Sequence, residues 1–245
     1  MKIVTFGSCL SRYTADTFID MFGGSLVSCS HHNRIDRFVK TYLKKTMPEL
    51  PYEYIESLNL SESNMQYIKN QYSGIGLGKH LLSDGLDFFD SVQGADIIIT
   101  DNFVDLCSKL QYSHSYPSSP LFFNSKNDRT ADDIFYLEKD YLPVSDAIKN
   151  WEYFGHYLYK VAPSARVFFI NFPYDHSPNA EISKRSRHFS ENFISTKFDI
   201  IPNINVPIRY KLKHTNSHFA DDYYAMIAGI LNFRLMGLNL TTSVK

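Results

Sequence analysis

The stretch Asp96-Ile97-Ile98-Ile99-Thr100 constrains the fold more than any other part of this chain. Three successive β-branched apolar residues cannot alternate between core and solvent. A strand here must be covered on both faces, as in a parallel sheet held between helices. Arg166-Val167-Phe168-Phe169-Ile170 reads the same way, and Lys2-Ile3-Val4-Thr5-Phe6 forms a short inner strand running into Gly7-Ser8. Leu26-Val27-Ser28-Cys29 supplies another strand, the second of the four in chain order. Helices are expected over about 11–21, stopped by Gly23-Gly24, and over about 31–45, 62–70 and 81–92. Further helices are expected at 143–161, opened by Pro143, then at 181–197 and 220–235. Alternating strands and helices predict an α/β fold with three layers, α/β/α, around a parallel sheet. No repeat or linker interrupts residues 1–245, so a single domain is expected. It carries an irregular aromatic and Pro-rich insertion around 107–142 that includes Pro117 and Pro120.

Composition narrows the function classes. With 25 Lys+Arg against 26 Asp+Glu the formal charge is -1, which argues against a nucleic-acid partner. An apolar fraction of 44% argues against disorder. The 19 Phe and 17 Tyr bring aromatics to 15%, enough either to fill a core or to line a ligand groove. Cys9, Cys29 and Cys107 cannot all pair within the chain, and their spacings match no zinc or redox motif. They read as reduced thiols, so a cytoplasmic location and no metal are expected. His31-His32 with Arg34 and Arg37 reads as a polar patch lacking a third spaced ligand. No charged-then-apolar leader opens the sequence, and no run reaches the roughly 20 apolar residues of a membrane span.

Ligands of open α/β sheets bind beyond the carboxyl ends of the strands. Here the first strand runs into Gly7-Ser8-Cys9, the third into Asp101-Asn102 and the fourth into Asn171. The loop before the last helix adds His214, Thr215, Asn216, Ser217 and His218. A serine, a histidine and an amide donor are the parts that acyl transfer through a serine nucleophile needs.

In this order and placement the residues resemble the SGNH/GDSL superfamily of serine esterases and acyltransferases. The opening is also similar to that of polysaccharide-cluster proteins that begin with a strand and Gly-Ser-Cys. The resemblance implies a flavodoxin-like sheet of the SGNH-hydrolase type, with Ser8 as nucleophile, His218 as base and Asn102 as oxyanion donor. A second oxyanion donor would lie among Gly74, Gly76 and Gly78. The family's acid falls at Thr215 here, which leaves Asp101, Asp221 and Asp222 as candidates to orient the imidazole. Thr100 and Phe103 likewise stand where the family has glycine and aspartate.

The implied activity is ester hydrolysis or O-acyl transfer on a carbohydrate or carbohydrate-linked substrate. No cofactor is required, although acetyl-CoA or another acyl thioester could serve a transferase as donor. Arg12 and His214 are candidate substrate contacts. A non-catalytic carbohydrate-binding or biosynthetic accessory protein on the same scaffold is the alternative, favoured by the missing acid at Thr215. Ser8 could equally serve as a helix cap, and Cys9 as a rival nucleophile or a buried thiol. Tyr112, Tyr116, Phe122 and Phe123 in the insertion could roof a pocket. The sequence does not fix the oligomeric state.

Overall fold

A computed structural model describes residues 1–124, 133–173, 177–212, 215 and 218–237. Its centre is a five-stranded parallel sheet built from β1 (Lys2–Gly7), β2 (Ser25–His31), β3 (Ile97–Asp101), β6 (Arg166–Ile170) and β7 (Asp199–Ile201). A separate antiparallel pair is formed by β4 (Gln111–Ser113) and β5 (Phe135–Leu137). The main sheet runs in the order β2-β1-β3-β6-β7. Relabelled along the chain this is 2-1-3-4-5, the flavodoxin-like order, whose switch point lies between β1 and β3. Ile97, Ile98 and Ile99 are at most 1% exposed, so the isoleucine strand is covered on both faces as its sequence requires.

The helices are α1 (Cys9–Phe22), α2 (Ile35–Phe38), α3 (Tyr52–Glu56), α4 (Glu62–Lys69), α5 (Phe88–Val92), α6 (Phe103–Cys107), α7 (Val144–Val161), α8 (Ala180–Asn192) and α9 (Asp221–Leu235). α1 and α9 pack together over one face, while α2, α7 and α8 pack over the other. α7 shows why: Val144, Ala147, Trp151, Phe154, Gly155 and Leu158 recur every three or four residues and are all buried. Trp151 and Phe154 stack edge-on against Phe6 and Phe38 beneath the sheet. A second apolar cluster of Leu50, Ile55, Ile68, Tyr72, Leu121, Phe123 and Phe135 lies under the β4–β5 pair.

Several expected boundaries move. The helix expected from His31 begins at Ile35 and continues as a π-helical turn, Val39–Leu43. His31 instead closes β2, because that strand pairs with β1 up to the Gly7–His31 register. The helix expected over 81–92 shrinks to Phe88–Val92, where Asp87 accepts the Phe89 amide as a cap. Gly85 sits in the preceding turns, where a Cβ would lie 2.6 Å from the Lys79 carbonyl oxygen. The helix expected to 197 ends at Asn192. β7 and the β4–β5 pair were not expected, since three-residue strands are too short to show a period.

The pair His31-His32 with Arg34 and Arg37 is not a surface patch. Arg34 is 1% exposed, holds Asp36 through two bonds at 2.7 and 3.1 Å, and pairs with Glu138. Arg37, equally buried, donates to the carbonyls of Pro120 and Gln71. These guanidiniums tie the α2 segment to the insertion. Among the described residues no helix is long and apolar enough to cross a membrane.

Candidate active site

The parallel pairing of β1 with β2 and β3 brings three strand ends to one edge of the sheet. The β1–β2 register sets Gly7 beside His31, and the β1–β3 register pairs Phe6 with Thr100. Ser8-Cys9, His31-His32 and Asp101-Asn102 therefore converge, although 93 residues separate Ser8 from Asp101.

Ser8 is the N-cap of α1, and its Oγ accepts the Leu10 amide at 3.1 Å. Its own amide donates to Asp101 Oδ2 at 2.8 Å, and Ser11 N–H reaches the same oxygen at 3.0 Å. Asp101 Oδ1 accepts the Phe103 amide at 3.0 Å. Both oxygens of Asp101 thus hold the backbone of the β1–α1 and β3–α6 turns. A carboxylate facing three amides at helix starts is favourably placed in their dipole fields. Gly7 is required beside it, since a Cβ there would lie 2.4 Å from Asp101 Oδ2.

Ser8 and His218 line the same cavity, of about 600 Å³. Its walls also include Cys9, His32, Phe103, Phe122 and Tyr141. His218 is half-buried, and its ring meets Tyr13 edge-on at 5.8 Å. Just beyond it, Tyr224 Oη accepts the Phe219 amide at 3.1 Å, which ties the His218 loop to α9. Asn102 is 1% exposed; its Oδ1 accepts the Phe172 amide at 2.9 Å, while its Nδ2 has no hydrogen-bond partner. Asn102 itself does not line the cavity, although its neighbour Phe103 does.

The other candidates are placed as follows. Asp221 and Asp222 are exposed in the first turn of α9, where their charge suits the helix dipole. Thr215 is half-buried, and His214 lies outside the described residues. Gly76 donates its amide to the Tyr72 carbonyl, and Gly78 offers its carbonyl to Cys29 N–H. None of Gly74, Gly76 and Gly78 lines the cavity holding Ser8. Arg12 pairs with Asp16 at 3.7 Å on α1 and does not line the cavity either. Of the four rings expected to roof a pocket, Phe122 and Phe123 line this one. Tyr112 instead stacks on Tyr136, and Tyr116 packs on Tyr54.

Sequence reading missed the neighbourhood of Cys9. Cys9 is half-buried and lines the cavity rather than the core. Its sulfur and one ring nitrogen each of His31 and His32 all lie within 4.8 Å of one another. The two imidazoles stack, with centroids 3.9 Å apart and planes 9° from parallel. Tyr67 closes on His32 edge-on at 4.6 Å. Burial, then the neighbouring His218, pushes His32 down to about 3. Burial, His32, Arg12 and His218 together hold His31 well below its ordinary value, so both rings are neutral. Burial, reinforced by Asp101, pushes the Cys9 thiol up to about 11. A third group of ligand type does stand beside His31-His32, delivered by another strand end, which local spacing cannot reveal.

No protein-family model matches this chain, and no curated protein sequence matches it. Among solved structures it is similar to a carbohydrate esterase whose active site is described as having divergent catalytic and non-catalytic binding functions. That match is at 12% identity and a TM-score of 0.45, covering 96% of this chain and 64% of the other. It is also similar to an acetyl xylan esterase at 10% identity and a TM-score of 0.44, covering 96% and 100% of the two chains. A third is an acetyl xylan esterase from the rumen bacterium Butyrivibrio proteoclasticus, at 12% identity and a TM-score of 0.46, covering 97% and 65%. The chain thus spans about two-thirds of the first and third of these proteins. The likeness is one of chain path and assigns no activity.

Proposed function

We propose that this protein carries out serine-dependent acyl transfer or ester hydrolysis in the cavity at the β1–β3 switch point. The observation that carries this reading is that Ser8 and His218, 210 positions apart, line one cavity, while Asn102, next in the chain to the cavity-lining Phe103, keeps its Nδ2 without a partner. His218 accepts the Ser8 hydroxyl proton as Oγ attacks an ester or thioester carbonyl carbon. The carbonyl oxygen becomes an oxyanion, stabilised by Asn102 Nδ2–H. The Ser8 amide is already committed to Asp101, so Asn102 carries more of that stabilisation than in a site with two free amides. Collapse expels the leaving alkoxide or thiolate, which takes the proton from His218. Water or a sugar hydroxyl then attacks the acyl-serine, giving up its proton through the same imidazole, and Ser8 is regenerated. In this reading a transferase draws its acyl group from a thioester such as acetyl-CoA.

The walls favour a carbohydrate-linked substrate. Tyr67, Phe103 and Phe122 bring half-buried rings to the wall for sugar C–H stacking, and Ser108, Gln111 and Asn124 bring polar groups among them.

A second reading makes Cys9 the nucleophile, because it shares the cavity and lies within reach of His31 and His32. Its raised thiol pKa of about 11 disfavours this, since little thiolate exists near neutral pH. Labelling with a fluorophosphonate, followed by peptide mapping, separates the readings. The wild type and Cys9→Ala are expected to carry the label on the Ser8 peptide, and Ser8→Ala and His218→Ala are expected to lose it. An unlabelled wild type, or label that persists in Ser8→Ala, refutes the serine mechanism.

A further inference from the structure

Cys9, His31 and His32 form a cluster that the acyl-transfer chemistry above does not use. They arrive from different parts of the chain. Cys9 is the first residue of α1, His31 closes β2, and His32 occupies the turn after it. That turn is specialised: His32 has φ +58°, a left-handed conformation uncommon for a side-chain-bearing residue, and its amide donates to the Gly7 carbonyl at 3.0 Å. The result places two consecutive imidazoles beside one thiol, where an ordinary strand would send successive side chains to opposite faces.

The ring nitrogens point to a ligand. His31 is 4% exposed, yet neither its Nδ1 nor its Nε2 has a hydrogen-bond partner, and His32 Nδ1 has none either. Buried polar atoms are almost always satisfied, and three such nitrogens beside a free thiol require an explanation. Further, the donor set is one sulfur and two imidazole nitrogens, with no carboxylate or carbonyl among them. Such a set suits borderline-soft cations and disfavours Mg²⁺ or Ca²⁺. Tetrahedral zinc, with bonds of about 2.0–2.3 Å, holds its ligand atoms roughly 3.3–3.7 Å apart. The present limit of 4.8 Å exceeds that spacing by about 1 Å, and because the two imidazoles now stack in near-parallel planes, binding must rotate one ring out of the stack so that both nitrogens face the ion.

We propose that Cys9, His31 and His32 are a three-ligand site for a divalent cation of the Zn²⁺ class, with its remaining coordination position open to the cavity. Cys9 and His32 both line that cavity, so an incoming oxygen or sulfur donor has access to the fourth position. Three protein ligands with one open position is the arrangement of a reactive zinc, whereas purely structural zinc is closed by four. Binding replaces the thiol proton, which leaves to solvent, and forms one metal–sulfur and two metal–nitrogen bonds without any change of oxidation state. The site goes beyond the serine reading and does not depend on it.

The test is Co²⁺ and Zn²⁺ titration of the full-length, chelator-stripped protein. One equivalent of Co²⁺ is expected to give a thiolate-to-cobalt charge-transfer band with tetrahedral d–d absorption. Zn²⁺ is expected to displace it, and to protect Cys9 from iodoacetamide as read by peptide mapping. Cys9→Ser is expected to abolish the band and weaken Zn²⁺ binding beyond the roughly 10–100-fold typical of residues that only orient a ligand. His32→Gln, a second variant at the half-buried cavity wall, is expected to weaken it comparably, with circular dichroism confirming that each variant is folded. Ser8→Ala, which removes the proposed nucleophile, is expected to bind metal as the wild type does. Absence of stoichiometric binding by folded protein, binding without the charge-transfer band, or a band that survives Cys9→Ser overturns the site.

Discussion

Replacing Asp101 by asparagine removes one oxygen and one charge from the junction on which the candidate site is built. In the native turn Oδ2 accepts from Ser8 N–H at 2.8 Å and Ser11 N–H at 3.0 Å, while Oδ1 accepts from Phe103 N–H at 3.0 Å. An asparagine has a single carbonyl oxygen. Its least harmful orientation keeps that oxygen on Ser8 and Ser11 and turns its NH2 toward the Phe103 amide, donor against donor. One charge-assisted bond is then lost and two become neutral. At about 1.5–3 kcal/mol for a bond to a charged group, against about 1 for a neutral one, Asp101→Asn should destabilise by about 2.5–7 kcal/mol. The side chain is 2% exposed, so water cannot readily replace the lost partner. The assay is urea unfolding followed by far-ultraviolet circular dichroism, with the midpoint shifted and the slope unchanged. A loss below about 1 kcal/mol in a folded variant would refute the assignment of Asp101 as the clamp of these turns. Should Asp101 instead orient the His218 imidazole, the substitution would depress serine labelling far more than stability.

Other consequences can be checked as directly. Gly7→Ala places a Cβ against Asp101 Oδ2 and should destabilise by about 2 kcal/mol or more, with the loss reduced when Asp101→Ala is already present. Asp105 is fully buried, accepts Ile35 N–H at 2.7 Å and Trp151 Nε1–H at 2.8 Å, and is pushed by burial up to about 7. Its folded-state pKa exceeds the unfolded value, so stability should decline as pH rises from about 4 to about 7 and then level off. The decline attributable to this group is of order 4 kcal/mol, and Asp105→Asn should abolish it in urea midpoints measured across that range. Gly155→Ala ought to gain up to about 1 kcal/mol of helix propensity, but its Cβ would meet Phe198 Cε2 at 2.5 Å. A net loss of about 1–3 kcal/mol in thermal or urea unfolding is expected, and a gain would show that Phe198 yields freely.

What could be read from the sequence and what could not divide along a physical line. The isoleucine strand, α1, α4, α7 and α9 were legible because burial imposes a local period or an uninterrupted apolar run. His218 stands in the loop before α9, but Ser8 and Asn102 were legible at one sheet edge because parallel strands deliver their carboxyl ends there, a rule of topology that needs no coordinates. Cys9 with His31 was not, because their proximity is created by the β1–β2 register and not by any spacing along the chain. Arg34 and Arg37 were misread for a related reason: a charged residue looks solvated unless its distant partners, Glu138 and the Pro120 carbonyl, are known.

The Gly-Ser-Cys segment shows what the structure adds to a motif. Glycine leaves room for the Asp101 carboxylate, serine caps α1 while keeping a hydroxyl proton to donate, and cysteine turns its sulfur toward two imidazoles with unsatisfied nitrogens. Each position therefore answers to a different neighbour: β3 for Gly7, α1 and the cavity for Ser8, and the end of β2 for Cys9. A substitution at one should leave the other two functions measurable. On this ground the stability of Gly7→Ala, the labelling of Ser8→Ala and the metal binding of Cys9→Ser are three separable experiments on three consecutive residues.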